Sequence, residues 1–301
     1  KLGQMIRTHG QRLTQCHACA RQAIAFYPPY YYRELSRPLF TGQYFENLEA
    51  VSCRLDPKEV TDELLFDGLG RLLAMDNQEF DAADVTQEGR GFSQYRQVWL
   101  ACADQMDART QQQMLDYVRA GGHLICFPTL PRTDLQARPC TILADGLGIR
   151  TDRINEHRGE IIFWEDTGQE IYTIGCIETF QADRMQVIAR AMDQRVCGLR
   201  IASGNGLATV LGTGFKHQAP AHRLAWQKLS CDEDFQTPVR CDDPRVIVRF
   251  RKHEKEGGYL FLLNYHNQQI RTHVCFQEAD EQISLGSIVL DRTCGLILPF
   301  G

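Results

Sequence analysis

The sequence predicts an α/β domain with a mostly parallel sheet, followed by a small all-β module. Over residues 23–150, short apolar runs alternate with amphipathic helical segments, which is the pattern of βαβ units in a doubly wound sheet. After about residue 150, short strands follow one another across glycine and polar turns, and residues 230–244 have the composition of a linker. Residues 236–301 then contain only strand-like runs.

The first half of the chain supplies the alternation of strands and helices. The apolar run Ala23–Tyr27 predicts a buried strand that ends in a loop at Pro28-Pro29. In chain order, the predicted elements are a polar helix over 1–22, that strand, an aromatic loop over 28–57, a helix over Glu59–Met75, a strand over Gln97–Ala103, a helix over Ala108–Ala120 capped by Asp107 and by Gly121-Gly122, a strand over His123–Phe127 and a helix over Ile142–Leu147.

The second half supplies the turn-rich strands. The predicted elements are strands over Glu160–Trp164, Ile171–Ile174 and Leu207–Leu211, a helix over His217–Leu229, a hairpin of Val246–Phe250 with Tyr259–Asn264, and strands over His273–Phe276, Ile288–Leu290 and Leu296–Leu298. The domain boundaries that follow are a linking helix at 1–22, an α/β domain at 23–230 and a β-module at 236–301.

Composition narrows the class of protein. A chain of 301 residues corresponds to about two domains, and a net charge of −5 does not favour nucleic acid as a partner. No apolar run reaches the 18 residues of a membrane helix. The twelve cysteines are scattered and several lie in apolar runs, which predicts reduced thiols and a cytoplasmic location. The chain begins Lys1-Leu2-Gly3-Gln4, without an initiator Met or a signal sequence, so we expect a processed chain or part of a longer one.

Three patterns resemble catalytic or cofactor sites but favour structural interpretations. Gly204-Asn205-Gly206 precedes a strand rather than a helix, so it predicts a turn and not a phosphate loop. Cys126 is followed by Phe-Pro rather than by the glycine of a nucleophile elbow. Glu156 lies in a charged stretch without a barrel to hold a carboxylate pair. We therefore predict no catalytic residue and no cofactor. We also predict no metal site, because Cys16-His17-Ala18-Cys19 is not followed by the second pair of ligands that a structural zinc ion requires.

The candidate functional residues are aromatic. A cluster follows the first strand of the sheet, at the carboxyl edge where α/β proteins bind ligands, and a second lies shortly after it in the same predicted loop. Their members are Tyr27, Tyr30, Tyr31 and Tyr32, and then Tyr44 and Phe45. Packing over the sheet, a protein interface and direct ligand contact are all compatible with this pattern.

Several motifs in order resemble one enzyme family. Val98-Trp99-Leu100-Ala101-Cys102-Ala103 is followed by a helix and then by Tyr117-Val118-Arg119-Ala120-Gly121-Gly122-His123-Leu124-Ile125-Cys126-Phe127-Pro128. Ala25-Phe26-Tyr27-Pro28-Pro29-Tyr30 precedes them, and Gly212-Thr213-Gly214-Phe215-Lys216-His217-Gln218 and Tyr259-Leu260-Phe261-Leu262-Leu263-Asn264-Tyr265-His266 follow. This set resembles the region after the catalytic barrel in bacterial β-galactosidases of glycoside hydrolase families 42 and 35.

The resemblance implies a flavodoxin-like fold, similar to class I glutamine amidotransferases, in what is called the trimerisation domain. It covers most of residues 20–300, whereas the family's catalytic barrel is absent. The expected function is therefore non-catalytic. The chain would mediate homo-oligomerisation, as a trimer in the family, and help to wall the active site of a neighbouring catalytic barrel. Its other expected partner is its own upstream catalytic domain, and it would meet a galactoside only through the full enzyme. The alternative is a free-standing amidotransferase-like enzyme or small-ligand binding protein that uses the carboxyl edge of the sheet.

Overall fold

The structure is a computed structural model that describes most of the chain outside two long segments. The described residues are 2–17, 20–29, 69–75, 78–87, 91–102, 105–155, 161–173, 177–214, 228–230, 239–243, 245–253, 255, 257–278 and 281–300. They divide into two compact units. The first combines Lys1–Ala20 and Leu73–Phe80 with Cys231–Gly301, and the second combines Arg21–Leu72 with Asp81–Ser230. The predicted role of residues 1–22 as a link to an upstream domain stays a prediction.

The second unit is built on a nine-stranded sheet. Its strands are β2 (Gln22–Phe26), β3 (Phe80–Asp84), β4 (Gln97–Cys102), β5 (His123–Pro128), β6 (Arg150–Asn155), β7 (Ile161–Trp164), β8 (Glu170–Tyr172), β9 (Ile177–Gln181), β10 (Gln186–Ala191), β11 (Val196–Ser203) and β12 (Gly206–Leu211). Its helices are α3 (Ala108–Arg119) and α4 (Ile142–Leu147), and a further helix before β3, α2 (Gly70–Met75), has residues in the ranges of both units. The strand order is β3-β2-β4-β5-β12-β11-β10-β7-β8, and β6 pairs with β9 in a separate ladder.

This sheet is mixed rather than mostly parallel. Strands β2, β4, β5 and β12 are parallel neighbours, whereas β12, β11, β10, β7 and β8 pair in antiparallel fashion. Short turns explain part of the antiparallel pairing, because strands joined by only a few residues, such as β11 and β12, can pair only in antiparallel fashion. In one of these turns, the backbone N–H of Asn205 donates to the carbonyl of Arg119 at 3.1 Å, and a Cβ at Gly206 would lie 2.0 Å from the carbonyl oxygen of Val118. The predicted turn at Gly204-Asn205-Gly206 is therefore confirmed.

The parallel strands form where the sequence is apolar on both faces. Every side chain of His123–Pro128 is buried, and Trp99 and Phe127 pack edge to face with ring centroids 6.3 Å apart. Strands covered on both sides are typical of the centre of a parallel sheet. Asp107 caps α3, as predicted, by accepting from the backbone N–H of Thr110 at 2.9 Å.

The first unit is a β-rich module that includes the beginning of the chain. Its elements are α1 (Leu2–Leu13), β1 (Cys16–His17), β13 (Val239–Cys241), β14 (Val246–His253), β15 (Gly258–Asn264), β16 (Ile270–Glu278), β17 (Glu281–Leu290) and β18 (Cys294–Phe300). One sheet has the order β1-β14-β15-β18 and the other β13-β16-β17. Their shared core contains Phe250 and Phe276, whose ring centroids are 5.4 Å apart.

Residues near the N-terminus complete this module. Cys16 and His17 of β1 pair with His253 and Lys252 of β14. On α1, the ring of His9 packs edge-on to Tyr259 at 5.4 Å. The predicted helix over 1–22 is thus shorter, because the chain after Leu13 turns into this strand. Among the described residues, no helix combines the length and apolarity needed to cross a membrane.

Candidate functional site

The carboxyl edge of the parallel strands carries two hydrogen-bonded clusters. The first begins at Tyr27, directly after β2, whose hydroxyl donates to Asp107 Oδ2 at 2.6 Å and accepts from the Asp107 backbone N–H at 3.1 Å. Thr110 donates its hydroxyl to the same carboxylate oxygen at 2.8 Å. Burial alone would raise the pKa of Asp107, but the hydrogen bonds from Tyr27 and Thr110 outweigh it and lower that pKa. Burial raises the pKa of Tyr27, so the phenol stays protonated and locks the helix cap to β2.

The second cluster surrounds a buried carboxylate, that of Glu178 on β9, whose side chain is 3% exposed. Thr129, just after β5, donates to one carboxylate oxygen, and Thr151 donates to the other at 2.6 Å. The guanidinium of Arg132 lies 3.5 Å from Glu178 Oε1. Two hydroxyl donors and one cation thus compensate the buried charge, as such a group requires.

The backbone of Glu178 also meets the end of β12. Its N–H donates to the carbonyl of Gly212 at 2.6 Å, and a Cβ at Gly212 would lie 2.0 Å from the carbonyl oxygen of Glu178. Only glycine therefore allows this close approach. Glu178 thereby connects β9 to the ends of β5 and β12.

The loop that follows β5 joins the two clusters. The backbone N–H of Met106, next to Asp107, donates to the carbonyl of Thr133 at 2.9 Å. Gln111 on α3 donates to the carbonyls of Met106 and Cys140, each at 2.8 Å. The edge where α/β sheets usually bind ligands is thus occupied by the protein's own loop along this stretch.

The predicted aromatic residues divide between described and undescribed parts of the chain. Tyr27 is 3% exposed, and it serves as the hydrogen-bonded anchor described above. The other five candidates, Tyr30, Tyr31, Tyr32, Tyr44 and Phe45, lie outside the described residues. Their roles remain a prediction.

Cys126 is enclosed within β5 and has no exposed surface. Burial raises the pKa of its thiol far above the usual range, which suppresses the thiolate that nucleophilic catalysis requires. Within the described parts of the chain, no group of three or more His, Cys, Asp or Glu side chains is arranged to hold a metal ion.

A buried polar row, which the sequence does not predict, lies near the amino ends of the same strands. His123 and Gln97 begin β5 and β4 as paired neighbours, with Gln97 Nε2 3.0 Å from His123 Nδ1. The other ring nitrogen, Nε2, lies 2.8 Å from the hydroxyl of Thr209 on β12. The signal in the sequence is a polar residue at the first position of an otherwise apolar strand. Glu178 gives a similar signal, a single acid in the run Ile177–Phe180.

The comparison with protein families matches part of the chain. Residues 53–188 match the model described as the second domain of GLMA-like proteins. Some of the matched residues lie outside the described parts of the structure.

Curated relatives are carbohydrate-active enzymes much longer than this chain. A β-1,2-glucosyltransferase from Ignavibacterium album is 27% identical over 89% of this chain and 37% of its own length. An exo-β-D-glucosaminidase from Thermococcus kodakarensis is 28% identical over 78% of this chain and 30% of its own length. The chain thus spans about a third of the length of these relatives.

Solved structures identify the fold. A GH42 β-galactosidase from G. stearothermophilus superposes with a TM-score of 0.69 and 16% identity, over 93% of this chain and 40% of that one. The resemblance expected from the sequence is therefore confirmed: this sheet-rich chain has the fold of the carboxy-terminal region of GH42 β-galactosidases.

Proposed function

We propose that this chain is the non-catalytic carboxy-terminal region of a cytoplasmic β-galactosidase-like glycoside hydrolase. It would mediate homo-oligomerisation, as a trimer, and help to wall the active site of a neighbouring catalytic barrel. The observation that carries the proposal is coverage, because the relatives match most of this chain whereas the chain spans only about a third of them. Within this proposal, β2, β4, β5 and β12 are the core of a flavodoxin-like, amidotransferase-like sheet.

The carboxyl edge supports an accessory role rather than chemistry of its own. Its carboxylates are engaged: Asp107 caps a helix and bonds Tyr27, and Glu178 is held by two threonines and Arg132. A general acid or base must instead reach a substrate proton. The buried thiol of Cys126 likewise does not favour the alternative of a free-standing amidotransferase.

Activity assays test the non-catalytic role. Two proteins are compared: the full-length product of the native gene and the isolated chain of residues 1–301. Each is assayed with an aryl β-D-galactoside and with an aryl β-D-glucosaminide. We expect turnover by the full-length protein and none by the isolated chain. Glutaminase activity of the isolated chain, or glycoside turnover that follows its elution peak through a second purification, would overturn the proposal.

Sedimentation tests oligomerisation in the full-length protein. We expect Tyr31→Ala combined with Tyr44→Ala to shift the oligomer toward monomer, because aromatic anchors in an interface core typically contribute about 2 kcal/mol or more each. Tyr172→Ala is the matched control, since Tyr172 is 61% exposed on β8. A double variant that keeps its sedimentation coefficient across a hundredfold dilution would locate the interface elsewhere.

A further inference from the structure

A chain of hydrogen bonds links the amino ends of the parallel strands to the last described segment of the second unit. It runs from Thr209 on β12 through the imidazole of His123 to the side-chain amide of Gln97. The same amide nitrogen, Gln97 Nε2, donates to the carbonyl oxygen of Ser230 at 3.0 Å. Ser230 is the final residue of the second unit before the chain passes to the first at Cys231.

The donors in this series of hydrogen bonds determine which nitrogen of His123 carries the proton. Gln97 Nε2 has two hydrogens, and one of them is directed at the carbonyl oxygen of Ser230. The second is directed at His123 Nδ1, which must therefore accept and carry no proton. The hydrogen of the neutral ring then lies on Nε2 and is donated to Thr209. Exchanging the oxygen and nitrogen of Gln97 would place two acceptors against each other at Ser230.

The elements around His123 also disfavour an imidazolium. Arg200 on β11 carries a positive charge and donates to the carbonyl of Lys228. Lys228 is a second cation and directs its ammonium to Asp166. Tyr117 on α3 donates its hydroxyl to the carbonyl of Tyr95 at 3.2 Å, and the same hydroxyl lies 3.5 Å from the carbonyl oxygen of His123. Burial, followed by the charge of Arg200, lowers the pKa of His123 to about 4.

We propose that His123 is an acid-sensitive latch that, beside the contacts of Lys228 with Arg200 and Asp166, helps to hold the segment Lys228–Ser230 on the sheet at neutral pH and favours its release on protonation. A proton added to His123 Nδ1 turns this nitrogen from an acceptor into a donor, so its N–H and the N–H of Gln97 Nε2 face each other. Gln97 must then turn away, and its hydrogen bond to Ser230 is lost with it. The residues that precede the crossing into the first unit are thereby loosened in acid.

Hydrogen exchange of the peptide that contains Lys228–Ser230 tests the latch. If the released state has an ordinary imidazole with a pKa of 6.5 and the latched state one of about 4, the released population rises about twentyfold from pH 7 to pH 5. We expect this rise in the exchange rate of the native protein, after the intrinsic pH dependence of exchange is divided out. Unchanged protection between the two pH values would overturn the proposal.

Two variants separate His123 from a general effect of acid. His123→Asn offers a side-chain oxygen to Gln97 and does not titrate near pH 5, so its protection should be the same at both pH values. Thr209→Val removes only the partner of the other ring nitrogen and should keep the acid response. A twentyfold response in His123→Asn, or its loss in Thr209→Val, contradicts the mechanism.

Nitrogen NMR of the native imidazole gives a second measurement that does not depend on the variants folding. We expect the Nε2–H tautomer and a titration well below pH 6.5. An Nδ1–H tautomer, or a titration near pH 6.5 in the folded protein, would overturn the latch.

Discussion

The carboxylate of Glu178 gives the sharpest test of the carboxyl edge. Glu178→Ala removes the acceptor of two hydroxyl groups and the counter-ion of Arg132 in one step. Thr129 is 3% exposed and cannot recover a water molecule easily, whereas Thr151 is exposed and can. Most of the destabilisation is therefore expected to arise on the Thr129 and Arg132 side.

The expected destabilisation follows from these contacts. Removing one partner of a buried ion pair costs about 3–5 kcal/mol. Arg132 keeps 18% of its side chain exposed, which places the loss at the lower end, about 3 kcal/mol. Glu178→Gln has nearly the same volume and still offers one acceptor and one donor to the two threonines. It loses only the charge opposite Arg132, and we expect a cost of about 1 kcal/mol.

Urea unfolding followed by tryptophan fluorescence measures both variants. All three tryptophans, Trp99, Trp164 and Trp226, belong to the sequence ranges of the second unit, so the signal is specific to it. Glu170→Ala, at an exposed acid on β8, is the matched control and should stay within about 0.5 kcal/mol of the native protein. If Glu178→Ala behaves like this control, the carboxylate does not hold the edge together.

Three further predictions concern buried titrating groups. The pKa of His123 is about 4 in the folded protein and 6.5 in the unfolded chain, so the unfolded chain binds a proton first as the pH falls. The free energy of unfolding is therefore highest above pH 6.5 and decreases by about 3 kcal/mol toward pH 4. His123→Asn should not show this decrease in urea unfolding. Tyr27→Phe should cost about 1–2 kcal/mol and raise the pKa of Asp107, which carboxyl NMR titration would detect; an unchanged pKa would refute the role of that hydroxyl. Native-state alkylation followed by mass spectrometry should label the exposed Cys294 well before Cys126, and early labelling of Cys126 would show that β5 opens.

The elements that the sequence predicts correctly are those with local causes. β5 is recognisable because its apolar run is buried on both faces, and α3 because Asp107 precedes a helical pattern. β6 and β10 were not predicted, since the exposed positions of each carry charged or polar residues such as Arg150 and Gln186.

The clusters of the candidate site could not be predicted in the same way. Glu178 acquires its partners from Thr129, Arg132 and Thr151, which are distant in sequence and meet only after the sheet has formed. Hydrogen bonds between side chains on different strands depend on register, and one sequence without a structure does not specify register across a crossover. The sequence predicts a parallel layer that contains β2, β4 and β5, but it predicts neither the place of β12 beside β5 nor the side chains that meet at the strand ends.

The pairing of β1 with β14 has a consequence for the order in which the protein is made. Cys16 and His17 leave the ribosome before the second unit, but His253 and Lys252 follow only after the entire second unit has been synthesised. Contacts of such long sequence separation form late, because the intervening chain must be closed into a loop first. The helix α1 and the strand β1 therefore wait without their sheet while the second unit folds, and this sheet becomes complete only after β14, β15 and β18 have been synthesised.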